Sequence, residues 1–354
     1  MERRRNSGPR TTAILLAGLV MVLSGCGSSR EAPAGQGSAG DAPAGVGLGH
    51  DVRFYVNPDG NAVQAVAGLR EKGRKKEARR LQRGIASQPT ATWLTDDSDA
   101  VYGEARSITE AAAAQDTLPV LVAYNLPNRD CGLYSSGGAA DIDTYLDWLG
   151  SLAAGIGRKP ALVVLEPDAI AQSLEGCGSD GATDERYRML AEAVDILERQ
   201  PHVRVYLDAG NASWIEDLDA LAAALEASGV AKADGFALNV SNFETTERSA
   251  AYGRKLSQRL DGAHFVIDTS RNGAGPPPTA ATKPGSHPSW CNPPGRRLGT
   301  RPTTDTGIAE VDALLWVKQP GDSDGECGGA PPAGTWYPRY AAQLLSGSRP
   351  EPSH

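Results

Sequence analysis

From Asp51 onward the chain alternates short, almost wholly apolar runs with longer stretches in which apolar residues recur every three or four positions. Phe54-Tyr55-Val56 comes first, followed by a charged stretch with helical spacing over about 62–83. Seven further apolar runs cover 85–94, 119–124, 161–165, 203–207, 235–240, 264–267 and 313–317. Helical spacing fills most of the gaps, at about 108–114, 140–154, 184–199, 215–227 and 245–260. Few of the runs alternate polar with apolar residues, which suits strands covered on both faces. Strands separated by helices predict a parallel sheet in an α/β fold, either a barrel or a doubly wound open sheet. There is no internal repeat and no sign of a second domain.

Polar residues collect where the runs end. Pro167 in Leu165-Glu166-Pro167-Asp168 cannot donate to a ladder, so the fourth run stops there and Asp168 follows it. Parallel α/β folds place their chemistry just past strand C-termini, although an Asp in this position can equally cap the next helix. The same event recurs along the chain. Trp93 ends one run, and Tyr124 ends the next, with Arg129 and Asp130 beyond it. Asp208 and Trp214, Asn239 and Asn242, Asp268 and Arg271, and finally Lys318, Asp322 and Asp324 follow the later ones. Parallel strands bring these ends to one rim, which therefore carries several carboxylates, several indoles and a lysine, with no histidine among the named positions.

Composition adds a compartment. Arg3, Arg4, Arg5 and Arg10 precede an apolar run at 13–23 that is too short for a permanent span, so residues 1–25 read as a signal peptide. Leu23-Ser24-Gly25-Cys26 resembles the bacterial lipobox, which implies cleavage before Cys26 and a lipid on its sulfur. The segment 26–49 is mostly Gly, Ala, Ser and Pro and reads as a flexible linker; 50–347 is the folded body and 348–354 a disordered tail. The expected placement is secreted, extracytoplasmic and lipid-anchored to a membrane. Cys131, Cys177, Cys291 and Cys327 remain as an even set suited to two disulfides, and no pair has the close spacing of a zinc site. Neither a metal nor any other cofactor is expected. The formal charge is −8 for the whole chain, and the first 25 residues carry four Arg against one Glu, leaving −11 on the mature form. An acidic chain whose one basic cluster is 70–83 excludes nucleic acid as the expected partner, and that cluster reads as the solvated face of a helix.

Paired carboxyls beside aromatic platforms are the chemistry of glycoside cleavage. One carboxyl is kept protonated to donate to the leaving oxygen, and another directs water or acts as nucleophile. Indole faces stack on the apolar faces of sugar rings. Serine hydrolysis fits poorly, because there is no GxSxG elbow and the two histidines in the strand–helix body, His202 and His264, lie at strand beginnings. No Gly-rich phosphate loop follows any strand.

Six motifs then carry a family likeness: Tyr124-Asn125-Leu126-Pro127-Asn128-Arg129-Asp130-Cys131, Leu165-Glu166-Pro167-Asp168, Tyr206-Leu207-Asp208-Ala209-Gly210, the run 235–243, Ser289-Trp290-Cys291-Asn292, and the run 316–325. In this order they resemble glycoside hydrolase family 6, the endoglucanases and cellobiohydrolases that cut cellulose with inversion. The resemblance implies a distorted (β/α) barrel of seven parallel strands with its cleft at the C-terminal rim, and a β-1,4-glucan as substrate and partner.

By the same resemblance Asp168 is similar to the general acid. Asp130 is similar to the Asp that raises the acid's pKa and relays the proton from the attacking water. Asp324 matches the residue proposed as direct base, and the choice between Asp130 and Asp324 stays open. Tyr124 and Ser136 match the subsite where the ring is distorted. Trp93, Trp214 and Trp290 match stacking positions, Lys318 and Asp322 match sugar contacts, and Asp208 and Asn242 match binding-site positions. Direct base action needs about 6.5–9.5 Å between the two carboxyls, and a water chain needs more. The likeness pairs Cys131 with Cys177 and Cys291 with Cys327. Two departures stand out: Asn211 where the family commonly has His, and Asp322 where it usually has Glu. Only 38 positions separate Asp130 from Asp168, which leaves little chain to roof the cleft. The expectation is an endo-acting, monomeric β-1,4-glucanase, with a catalytically weak glucan-binding surface lipoprotein as the alternative.

Overall fold

A computed structural model describes residues 48–49, 51–95, 97–177, 180–278 and 288–347. The expected signal peptide at 1–25, Cys26, all but the end of the linker, and the tail at 348–354 lie outside the described residues.

Seven strands form one sheet in sequence order, every neighbouring pair parallel. They are β1 (Thr92–Leu94), β2 (Val120–Ala123), β3 (Ala161–Leu165), β4 (Val203–Asp208), β5 (Gly235–Leu238), β6 (His264–Asp268) and β7 (Val311–Leu315). The sheet curls until its two edges meet without forming a ladder. Ala91 N–H, just ahead of β1, donates to Trp316 O, just beyond β7, at 2.9 Å, and Trp93 Nε1 donates to Val317 O at 2.9 Å. The architecture is the distorted seven-stranded parallel barrel.

Period-two alternation along the strands makes two apolar layers. Val122, Val164 and Tyr206 share a register and join Ala237, Val266, Ala313 and Leu315 in the cluster that fills the barrel. Their neighbours Leu121, Val163 and Val205 belong to a second cluster with the surrounding helices. Those helices are α3 (Ser98–Ala113), α4 (Ile142–Ile156), α6 (Asp180–Glu198), α7 (Leu218–Ala227) and α8 (Thr246–Ser257). Each of α3, α4, α7 and α8 starts at a side chain, Asp97, Asp141, Asp217 or Thr245, that accepts an N–H of its first turn.

Several boundaries differ from expectation. Phe54–Val56 is not a strand; Phe54 makes a single bridge to Leu118. The charged stretch at 62–83 is two helices, α1 (Asn61–Glu71) and α2 (Lys75–Leu81), broken near Gly73, whose φ is 70°. The front of the 85–94 run continues α2 as a π turn, because Ile85 and Ala86 extend the apolar face that Ala78 and Leu81 pack with Val66 and Ala341. α3 begins ten residues before the expected position 108, at its Asp97 cap. Two helices were not anticipated: α5 (Ala169–Leu174) and α9 (Pro338–Gly347).

Candidate active site

β3 ends at Leu165, and the backbone then turns through two left-handed residues that are not glycine, Glu166 (φ 47°) and Asp168 (φ 71°). Such conformations persist where the surroundings over-determine them. The Glu166 carboxylate, 1% exposed, accepts Asn125 N–H at 2.9 Å and Leu126 N–H at 3.2 Å from the loop after β2. Asp168 sits at the N-cap position of α5, yet its side chain accepts no capping hydrogen bond. The helix-cap alternative therefore falls away, and its carboxyl is left for other work.

Asp208 ends β4 beside it. Its Oδ2 accepts the backbone N–H of Asp168 at 2.9 Å and that of Gly210 at 3.2 Å, while its buried Oδ1 has no hydrogen-bond partner. Burial, then the charges of Asp208 and Asp130, push the Asp168 carboxyl well above the usual range, with Lys318 opposing. Burial also pushes Asp208 up to about 7, though its two N–H donors favour its ionised form. The pair shares its titration, and the proton is held on the Asp168 side, where the charge lacks such donors.

Asp130 comes from the loop after β2. Ser135 N–H donates to its Oδ2 at 2.7 Å and Gln172 Nε2 to its Oδ1 at 3.1 Å, and burial raises its pKa. Gln172 lies one turn of α5 beyond Asp168, so this short helix links the two carboxyls. Arg129 fastens the same loop, donating to Tyr124 O at 2.8 Å, Ser135 O at 2.8 Å and Ser136 O at 3.3 Å. Ser136 itself is exposed. Tyr124 is buried with its ring edge-on to Trp93 at 5.1 Å and under the Arg129 guanidinium at 4.9 Å. Burial and the charges of Asp168 and Asp130 raise its phenol, which stays a proton donor. Cys131 pairs with Cys177, as expected.

Asp324 is a different kind of carboxylate. Arg271, wholly buried, donates from Nη1 to both its oxygens at 2.9 and 2.7 Å; Lys318 Nζ lies 3.2 Å from Oδ1, and Asn292 N–H donates to Oδ2 at 2.9 Å. Burial pushes its pKa up, but Arg271 and Lys318 outweigh that and hold it below the usual carboxylate value. Lys318 also donates to Ser323 O at 3.0 Å. Asp322, 3% exposed, accepts Asn61 Nδ2 of α1 at 2.9 Å on Oδ2, leaves Oδ1 unpartnered, and is pushed by burial up to about 6. Cys291 pairs with Cys327, again as expected, so both loops carrying Asp130 and Asp324 are pinned.

The three expected platforms differ in exposure. Trp93 and Trp214 are half-buried, whereas Trp290 is 36% exposed and meets the exposed ring of Tyr134 edge-on at 5.7 Å. Asn242 is partly exposed and donates its N–H to Asn239 O at 2.9 Å. Glu166 and Asn292 lie inside the sequence motifs and Arg271 follows a strand end, but none of the three has an expected role, and Gln172 is not among the expected residues. A signal existed for Gln172, which lies four residues after Asp168 and so on the same helix face. Among the described residues, no group of three or more His, Cys, Asp or Glu is arranged to hold a metal ion.

A carboxyl whose pKa is raised and a second carboxylate on the rim of a parallel barrel, in a chain that also exposes an indole, match the needs of a carbohydrate-cleaving hydrolase. The chain belongs to glycosyl hydrolase family 6: the model described as "Glycosyl hydrolases family 6" matches residues 50–348. It is 42% identical over 303 residues to Endoglucanase 1 of Streptomyces halstedii, covering 83% of this chain and 88% of that enzyme. Endoglucanase A of Cellulomonas fimi is 41% identical over 301 residues, 84% of this chain and 61% of that enzyme. The solved endoglucanase Cel6 of Mycobacterium tuberculosis, bound to methyl-cellobiosyl-4-deoxy-4-thio-β-D-cellobioside, superposes with a TM-score of 0.76 at 42% identity, over 84% of this chain and 98% of that one.

Proposed function

We propose that this protein is an inverting, endo-acting β-1,4-glucanase in which Asp168 is the general acid. The observation that carries this reading is the Asp168 carboxyl just past the end of β3, free of any capping role and next to Asp208, with its pKa raised by burial and by Asp208 and Asp130. In the reaction Asp168 gives its proton to the glycosidic oxygen as the C1–O bond breaks. Water attacks C1 from the opposite face, its oxygen forms the new bond, and its spare proton passes to a base. Each cut then yields a new reducing end of inverted, α, configuration.

Asp130 is the better base of the two candidates. It receives hydrogen bonds from two neutral donors and its pKa is raised, so it accepts a proton readily. Asp324 is tied to Arg271 and Lys318 and its pKa is depressed, which suits an anchor for the sugar-binding Lys318 and for the backbone at Asn292 more than a proton acceptor. Tyr124 and Ser136 flank the ring that distorts; Trp93, Trp214 and Trp290 supply stacking faces; Asn242, Lys318, Asp322 and Asp208 bind or orient sugar hydroxyls. The 38 positions between Asp130 and Asp168, and the three between Asp324 and Cys327, leave little chain for a roof and support an open cleft and internal cleavage, as do the endoglucanase names of the relatives. The Arg-rich start, the apolar run at 13–23 and Cys26 support an extracytoplasmic, lipid-tethered protein.

Asp168→Asn tests the assignment. It removes the transferable proton while keeping size, so turnover falls by about 10²–10⁴-fold while cello-oligosaccharide binding, read by calorimetry, stays within a few-fold. Undiminished hydrolysis by the variant would remove Asp168 from the acid role. Measurable glucan binding with no hydrolysis by the unaltered protein would favour the weakly catalytic binding reading instead.

A further inference from the structure

The charge on this molecule is unevenly placed. Residues 70–83 hold eight Lys or Arg against two Glu, a local charge of +6 within a chain of −8, so the remaining residues together carry −14. Substrate glucan is uncharged and gives this cluster no task. On α2 the pattern divides cleanly. Ala78 and Leu81, with Ile85 beyond them, pack inward against Val66 and Ala341. Lys75, Lys76, Arg79 and Arg80, with Arg83 in the turn that continues the helix, are all exposed. At 3.6 residues per turn these five fall within an arc of about 140° on the opposite side. The face holds no acid: Glu77 lies off it and pairs with Arg74. None of the five forms an ion pair among the described residues.

Lys75 with Arg79, Lys76 with Arg80 and Arg79 with Arg83 are also like charges four apart, an arrangement that weakens a helix. The stripe thus opposes local stability, and α2 carries no aromatic residue along it. We infer that the outer face of α2 docks the glucanase body onto an anionic phospholipid leaflet, with Lys and Arg heads meeting headgroup phosphates. Charge complementarity selects this occupant: basic clusters of four to eight residues beside a membrane attract anionic lipid, whereas the acidic remainder of the body is repelled from it and turns outward. The inference rests on the lipid-tethered reading of Cys26, which keeps the body close to such a leaflet.

The full-length protein is sedimented with phosphatidylcholine vesicles, with and without phosphatidylglycerol. The expected result is at least a tenfold gain in binding from phosphatidylglycerol at low salt, lost at high salt as the Debye length shrinks. The variant K75Q/K76Q/R79Q/R80Q/R83Q loses that gain while hydrolysing soluble glucan at the original rate, and the control R254Q/K255Q/R259Q, at the end of α8 and the turn after it, keeps it. Equal binding to both vesicle types, or a quintuple variant that retains the preference, would overturn the inference. So would tighter binding to soluble inorganic polyphosphate than to phosphatidylglycerol vesicles. Intact-mass measurement of the membrane-extracted protein reads the Cys26 lipid separately, so failure of the tether and failure of the docking face are distinguished.

Discussion

Asp208 accepts the backbone N–H of Asp168 on Oδ2 at 2.9 Å, so the carboxylate that positions the acid is also a negative charge beside it. Asp208→Asn keeps an acceptor for that N–H and removes the charge. The Asp168 pKa then falls, because the ionised acid no longer faces a like charge. The expected outcome is an alkaline limb of the pH–kcat/KM profile displaced to lower pH by about one unit, measured on a soluble glucan. A limb that stays in place would mean that burial and Asp130, without Asp208, set the acid's proton affinity.

The two base candidates separate by different readouts. Asp130→Asn is expected to lower kcat by about 10²–10⁴-fold with little change in folding free energy, since the new amide oxygen still accepts Ser135 N–H and Gln172 can turn its own amide so that Oε1 accepts from the new NH2. Asp324→Asn leaves the wholly buried Arg271 without its counter-charge and is expected to cost about 3–5 kcal/mol in urea denaturation. Full stability with abolished turnover in Asp324→Asn, together with an active Asp130→Asn, would exchange their roles.

Glu166 gives a pH dependence to stability. Burial raises its folded pKa to about 7, despite two N–H donors and Tyr145, against about 4.3 in the unfolded chain. Between those values the folded state holds a proton that the unfolded state has released, so stability falls as pH rises through that window and levels off above it. Glu166→Gln removes this contribution. Denaturation midpoints from pH 4.5 to 7.5 should then decline less steeply, by on the order of 1–3 kcal/mol across the range. An unchanged slope would place the linkage on other buried carboxyls such as Asp208.

What the sequence reveals and conceals follows from range. Strands buried on both faces announce themselves as apolar runs, and β2 to β7 lie within or close to the predicted limits. Ile85 and Ala86 misled because a helix's inward face and a buried strand look alike over a few residues. The six residues of α5 are too few to show a helical period, so the four-residue spacing from Asp168 is the one pointer to Gln172. Asp130, Asp168 and Asp324 are legible as rim carboxylates, since each follows a strand. Their protonation states are not, because those depend on tertiary partners: Asp208 lies 40 positions from Asp168 and Arg271 lies 53 from Asp324.

The most direct test of the central claim is hydrolysis of a soluble β-1,4-glucan by the purified protein, followed at once by viscometry and by NMR of the newly formed reducing ends. An inverting endo-enzyme with Asp168 as acid predicts a steep early fall in viscosity with α-anomers appearing before mutarotation. New ends that appear first as β-anomers would contradict the mechanism, and new ends without an early viscosity loss would contradict internal cleavage.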